Sequence, residues 1–212
     1  MRQCQDSFDT ASLINIMNSE FDIIRSLLIK DRSIRRFNQN KSISKAELEK
    51  LVELTRYCAS GRNLQPLKYR IVHTPSECES VFPLLKWAGY LKDWDGPSEG
   101  ERPVAYLIQC LDRNLTENCL CDDGIQLQAL TLGASSMGIG ECIIKAFNPA
   151  LMKERLKLDK RFEPLYVLAL GYPLEKVVLE DLEGPENRKV EYYRTLDAVH
   201  HVPKRTFKDL LI

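Results

Sequence analysis

Three short clusters carry residue types that could hold a phosphate or a flat heterocycle. The first, Arg32-Ser33-Ile34-Arg35-Arg36-Phe37, sets guanidinium groups three residues apart with a hydroxyl between them. Arginine offers bidentate, charge-assisted hydrogen bonds to phosphate, and serine adds a short donor. The same stretch also reads as a solvated basic turn in which Asp31 pairs with Arg35. The second, Ser60-Gly61-Arg62-Asn63-Leu64-Gln65-Pro66, concentrates amides and a hydroxyl that can bond the carbonyls and ring nitrogens of a planar ring. Turns select Gly, Asn and Pro on their own account, so plain turn chemistry stands beside that reading. The third is the basic pair Lys204-Arg205, which reads equally as an exposed basic end.

Composition narrows the partners. Thirty basic residues balance thirty acidic ones, so no global field attracts nucleic acid or an anionic membrane, and any anion site must be local. No run approaches the ~20 apolar residues of a membrane span, and no basic segment precedes an apolar signal core. The chain is expected to be soluble and cytoplasmic. Seven cysteines are scattered among apolar residues, which favours reduced thiols over a disulfide framework. Cys119 and Cys121 have no histidine near them in sequence, so no metal site is expected. No GxGxxG opens a helix, which leaves a nicotinamide no dedicated dinucleotide-binding domain.

The elements that must position these clusters follow from periodicity and punctuation. Ile14, Ile16, Met17, Phe21, Ile24, Leu27 and Leu28 recur at helical spacing, predicting an N-terminal amphipathic helix over residues 1–27 or slightly beyond. Ser44 and Glu47 form a capping box opening a helix that runs to about Cys58. Residues 67–73 read as a half-buried strand and 76–87 as a helix. The Gly-, Pro- and charge-rich stretch 89–103 reads as a long surface loop that could cover a substrate. Residues 104–111 read as a buried strand, and 122–137 as a helix apolar around its whole circumference, suited to an interior or a subunit interface. Strands over 141–147 and 165–170 flank a short helix opened by Asn148-Pro149. The remainder is mostly polar, turns at Gly184-Pro185, holds Tyr192-Tyr193, and cannot build a core alone. One domain over residues 1–212 is expected, with 185–212 as a C-terminal extension.

Taken in order, the segments RSIRRF, ASGRNLQPL, GIGECIIKAF, LALGYP and HHVPKR resemble the nitroreductase family of flavoproteins. That family shows R-S-x-R-x-F, then P-S-x-x-N-x-Q-P-W about thirty residues on, then a buried helix ending in G-L-G before C-W-I-G. The matches run from Arg32 to Arg205. This chain departs from the pattern at Ala59, Leu67, Ile143 and Lys145, where Pro, Trp, Trp and Gly are frequent.

The resemblance implies an α+β fold, with a mainly antiparallel sheet of four or five strands flanked by helices, in an intertwined homodimer whose tail is exchanged. It implies FMN at the subunit interface. Arg32, Ser33 and Arg35 would contact its phosphate, ribityl chain and ring edge, Lys204 and Arg205 would close the phosphate site, and Ser60, Asn63 and Gln65 would reach the flavin of the other subunit. Backbone groups of Ile143, Ile144 and Lys145 would pass the ring, whose N5 atom is tuned by hydrogen bonding. NADH or NADPH would reduce the flavin and a small electron-poor acceptor, a nitroaromatic or quinone, would reoxidise it in ping-pong order, with no protein acid or base needed for the hydride step. Tyr90, Lys92 and Trp94 could wall the acceptor side, although ordinary loop packing explains them as well. Three other readings remain: a reductive dehalogenase-like or flavin-modifying relative, a flavin-binding or delivery protein without turnover, and an interaction protein with no flavin, against which the paired phosphate-binding segments stand.

Overall fold

The computed structural model describes residues 19–182 and 189–212. Strands β1 (Leu67–Val72), β2 (Ala105–Asp112), β3 (Gly140–Ile144) and β4 (Phe162–Gly171) form one sheet ordered β1-β2-β4-β3, antiparallel at every pairing. All eight residues of β2 are buried, because both faces of this central strand are covered. Its alternation splits the interior in two: Tyr106, Ile108 and Cys110 enter one apolar cluster, Ala105 and Leu107 the other. Among the described residues, five α-helices flank the sheet: α1 (Glu20–Lys30), α2 (Lys45–Leu54), α3 (Pro75–Val81), α4 (Asp122–Ser136) and α5 (Pro149–Arg155). The architecture is α+β, with a four-stranded antiparallel sheet flanked by helices.

Local chemistry explains where these elements begin and end. Ser44 and Glu47 make the capping box of α2, and Asn148 caps α5 by accepting from the N–H groups of Ala150 and Leu151. α2 gives way at Leu54 to a 3-10 turn, Thr55–Tyr57, four residues short of the expected Cys58. α3 stops at Val81 rather than Trp87, because Pro83 has no N–H for a further helical bond and the chain tightens into a 3-10 turn at Phe82–Leu84. β3 ends at Ile144, three residues before the expected limit, with Phe147 held by an isolated bridge to Leu85.

The expected N-terminal helix is present as α1; the earlier part of that expectation, with Ile14, Ile16 and Met17, lies outside the described residues, as does the turn at Gly184-Pro185. α1 buries none of its residues, and Phe21, Ile23, Ile24 and Ile29 stand exposed along it. The tail is more ordered than its polar composition suggests. β5 (Lys176–Asp181), β6 (Tyr193–Arg194) and β7 (Val199–Lys204) form a second sheet, with β5 parallel and β6 antiparallel to β7.

Two glycines let the Arg32–Phe37 segment cross the sheet edge at close range. Phe37 is fully buried, and a Cβ on Gly171 would lie 2.8 Å from its Cβ; a Cβ on Gly140 would lie 2.9 Å from Ile34 Cγ1. Real Cβ contacts do not come so near, so glycine at both places is a packing requirement. The crossing is pinned by the Ile34 N–H donating to the Glu141 carbonyl (2.7 Å) and a parallel bridge between Ser33 and Glu141.

Candidate functional site

Where that segment meets β3 and β7, an open cleft of about 340 Å³ forms. Arg32, Ser33, Arg35, Ile143 and Lys204 line it together, from three stretches far apart in sequence. β3 is an edge strand: Glu141 turns its carbonyl outward to Ile34, and strand alternation turns the N–H and C=O of Ile143 to the same free edge. The Ile143 side chain is exposed at the cleft, whereas that of Ile144 points into the core. Lys145 lies beyond the cleft lining, its ammonium donating to the Leu165 carbonyl (2.9 Å) and resting on the Tyr166 ring.

The tail sheet supplies the opposite wall. Glu175, whose side chain is fully buried, accepts from the Arg35 backbone N–H (2.5 Å) and pairs with Arg194 (2.8 Å). β7 brings fully buried His200 to 3.1 Å from the Arg35 guanidinium, which in turn lies over the Tyr192 ring. Desolvation, then the charges of Arg35 and Arg194, push the His200 pKa down to about 4, so the ring is neutral at ordinary pH. Arginine only donates, so Nε2 accepts and Nδ1 carries the proton. That Nδ1 is buried with no partner among the described residues, as is Arg32 Nε.

The floor of the cleft holds a carboxyl pair that sequence reasoning missed. Asp31 accepts from Thr131 Oγ1 (2.6 Å) and Gln128 Nε2 (2.6 Å), so it is held by α4 and not by Arg35. Glu141 is 4% exposed, and burial, followed by its hydrogen bond to Asp31, raises its pKa to about 10. It is a neutral acid at physiological pH, donating to Asp31. The only signal available in the sequence was a carboxylate in the apolar run of an expected strand.

Other expected site residues lie elsewhere in the single chain. Ser60 donates to Asp122 Oδ2 (2.6 Å), Gly61 N–H donates to Asp122 Oδ1 (2.8 Å), and the Gln65 N–H donates to Ser60 Oγ (2.9 Å). This ties the loop to the start of α4, and Arg62, Asn63 and Gln65 adopt positive φ of 51°, 55° and 49° there. Such conformations cost on the order of 1 kcal/mol each and persist because Asp122, 1% exposed, holds the loop. Asn63 and Gln65 remain exposed, away from the cleft lining. Tyr90 lines a neighbouring cavity of about 730 Å³ and meets Tyr192 edge-on, so Tyr192 touches both cavities. Trp94 packs on the core with Arg194 over its ring, while Lys92 and Arg205 do not line the cleft.

Comparison with known proteins agrees with the fold. Residues 30–93 match the Nitroreductase family model. Among solved structures, a nitroreductase family protein from Clostridium difficile 630 is similar at 18% identity and TM-score 0.61, covering 88% of this chain and 95% of its own. An FMN-dependent nitroreductase from Clostridium difficile R20291 is similar at 18% identity and TM-score 0.59, with 71% and 87% coverage. A Parabacteroides distasonis protein described as an NADH dehydrogenase/NAD(P)H nitroreductase is similar at 22% identity and TM-score 0.59, with 77% and 91% coverage. Curated proteins give no match. The chain thus carries the nitroreductase family's sequence match across its Arg32–Phe37 and Ser60–Pro66 segments and folds as the nitroreductase family proteins do.

Proposed function

We propose that this chain is an FMN-dependent oxidoreductase that uses NADH or NADPH to reduce small electron-poor acceptors such as nitroaromatics and quinones. The observation that carries the reading is the convergence of Arg32, Ser33, Arg35, Ile143 and Lys204 on one cleft. With Glu141 neutral, the lining sets three cations against the single carboxylate of Asp31, a balance suited to a phosphate dianion. The unpartnered Arg32 Nε adds a buried donor at the same place. The residues present therefore fit FMN.

Arg32, Ser33 and Lys204 would hold the phosphate, with Arg205 beyond them. Arg35, whose guanidinium is held by His200 and the Ser33 carbonyl, would meet the ring edge with little rotamer freedom left to lose. The outward N–H of Ile143 would serve the ring, and its exposed side chain would shield one face from water. When bound, FMN would supply the two-electron chemistry linking NAD(P)H to the acceptor. Neutral Glu141 keeps a second negative charge away from the phosphate, and the carboxyl pair remains buried beneath it.

The proposal includes a homodimer. The bare apolar side of α1 calls for a partner surface, and the exposed amides of Asn63 and Gln65 would reach the partner's flavin. Six described cysteines carry free thiols, which suits the reducing cytoplasm, and no helix among the described residues is long and apolar enough to cross a membrane. Removing both guanidiniums tests the assignment. Arg32→Ala with Arg35→Ala should weaken FMN roughly 100-fold or more, from about 1.5–3 kcal/mol per charge-assisted contact. Flavin retained at one per chain after gel filtration would overturn it.

A further inference from the structure

The tail sheet acts on the cleft through a side chain that is itself fully buried. His200 stands on β7, opposite Val177 of β5 on one side and Arg194 of β6 on the other, with none of its surface exposed. It can influence a bound molecule only through a neighbour. That neighbour is Arg35, whose Nη1 donates to His200 Nε2 at 3.1 Å and to the Ser33 carbonyl at 3.2 Å. The Tyr192 ring completes the holder, with its centroid 4.7 Å from the guanidinium and 5.1 Å from the imidazole. Three neutral groups thus hold one cation.

This holder leaves the charge of Arg35 uncancelled. Among the described residues Arg35 forms no ion pair. Glu175 engages only the backbone N–H of Arg35 and pairs with Arg194. The hydrogen bonds that the guanidinium makes to the described residues all leave from Nη1, so Nε and Nη2 are left for a ligand in the cleft that Arg35 lines. A carboxylate in place of the imidazole would fix the arginine as well but would cancel the charge an anion needs. An apolar side chain would fill the same place on β7 without the unpartnered Nδ1, yet would offer Arg35 no acceptor. Arginine carries much rotamer freedom, so one that is already fixed loses less on binding.

We propose that His200 is a positioning residue for the cofactor, a neutral acceptor that aims Arg35 into the cleft and leaves its full charge to the ligand. The proposal rests on the FMN reading above and extends it to a residue that FMN does not touch.

The test is the FMN affinity of the full chain, read by quenching of flavin fluorescence. His200→Gln places an amide oxygen near the position of Nε2, and His200→Leu fills the site without an acceptor. His200→Leu should bind FMN roughly three- to tenfold more weakly than wild type, as expected for fixing one rotamer-rich side chain on binding, and His200→Gln should stay within about twofold. His200→Glu should bind roughly tenfold or more below His200→Gln, because it holds Arg35 but neutralises it. In an Arg35→Ala background, His200→Leu should cause no further loss, since a residue acting through Arg35 has nothing left to act on. Where His200→Leu fails to fold, His200→Asn replaces it, its amide ending short of the Nε2 position. Wild-type affinity in the Leu or Asn variant would overturn the proposal. So would a Gln variant as weak as Leu, a Glu variant as tight as Gln, or a full additive loss in the Arg35→Ala background. A wild-type chain that takes up no FMN would instead overturn the reading itself, and this proposal with it.

Discussion

Replacing Glu141 by Gln tests the electrostatics of the cleft with a sign that runs against habit. Burial and the bond to Asp31 hold the Glu141 pKa at about 10 in the folded chain, against an ordinary 4.5. Between those values the folded chain binds a proton that the unfolded chain has released. The stability this group contributes is therefore complete below pH 4.5 and is lost as pH rises toward 10. Each pH unit is worth about 1.36 kcal/mol, so wild type should lose roughly 2.7 kcal/mol from this group between pH 6.5 and 8.5. For a chain of this size that lowers Tm by roughly 5–11 °C. The window lies above the range of His200, from about 4 to 6.5, and below that of the buried thiols of Cys78, Cys110 and Cys142, whose contributions change only from about 9 upward. Glu141→Gln keeps the shape and an N–H donor for Asp31 and has no proton to lose. Calorimetric melting at pH 6.5, 7.5 and 8.5 should show a falling Tm in wild type, a nearly level one in the variant, and the variant more stable at pH 8.5. Parallel profiles, or a variant less stable than wild type at pH 8.5, would refute the reasoning.

Other perturbations probe the scaffold and the cleft separately. Lys204→Ala should weaken FMN roughly tenfold, by loss of one charge-assisted contact, while leaving Tm unchanged; equilibrium dialysis with equal affinities would remove Lys204 from the site. Asp122→Ala deprives Ser60 and Gly61 of their acceptor, so it should cost about 2–3 kcal/mol and speed amide exchange in residues 60–65 ahead of the sheet. Gly171→Ala drives a methyl against Phe37 and should cost about 1–3 kcal/mol in denaturant titration. Light scattering should return twice the chain mass of 24.4 kDa; a monomer at micromolar concentration would leave α1 without the partner assigned to it.

How much of this was legible in the sequence depended on the range of the interaction involved. The Ser44 and Glu47 capping box, the Asn148 cap and the buried run of β2 are local, and each was readable from a few residues. Helix ends were readable only to within a turn, as at α3, where Pro83 stops the helix but leaves a 3-10 turn in its place. The tail sheet was missed because β7 pairs in parallel with β5 across a long connection, a non-local pattern with no turn signature. The gathering of Arg32, Ser33, Arg35 and Lys204 was anticipated from motif order, which stands in for tertiary contact. The Asp31–Glu141 pair was not, because nothing local to either residue reveals that a bridge at Ser33 brings them together. Tyr90, Lys92 and Trp94 were grouped by proximity in the chain; Tyr90 lines the cavity beside the cleft, while Trp94 packs on the core.

The central claim, that the cleft holds FMN and passes electrons from a nicotinamide, is tested most directly by the visible spectrum of the purified protein. It should be recorded after FMN addition and gel filtration, then during anaerobic addition of NADH or NADPH. The account predicts a flavin absorbance near one equivalent per chain that bleaches with at least one nucleotide and returns when a quinone is added. A protein that takes up no FMN, or one whose bound flavin neither nucleotide reduces, would contradict it.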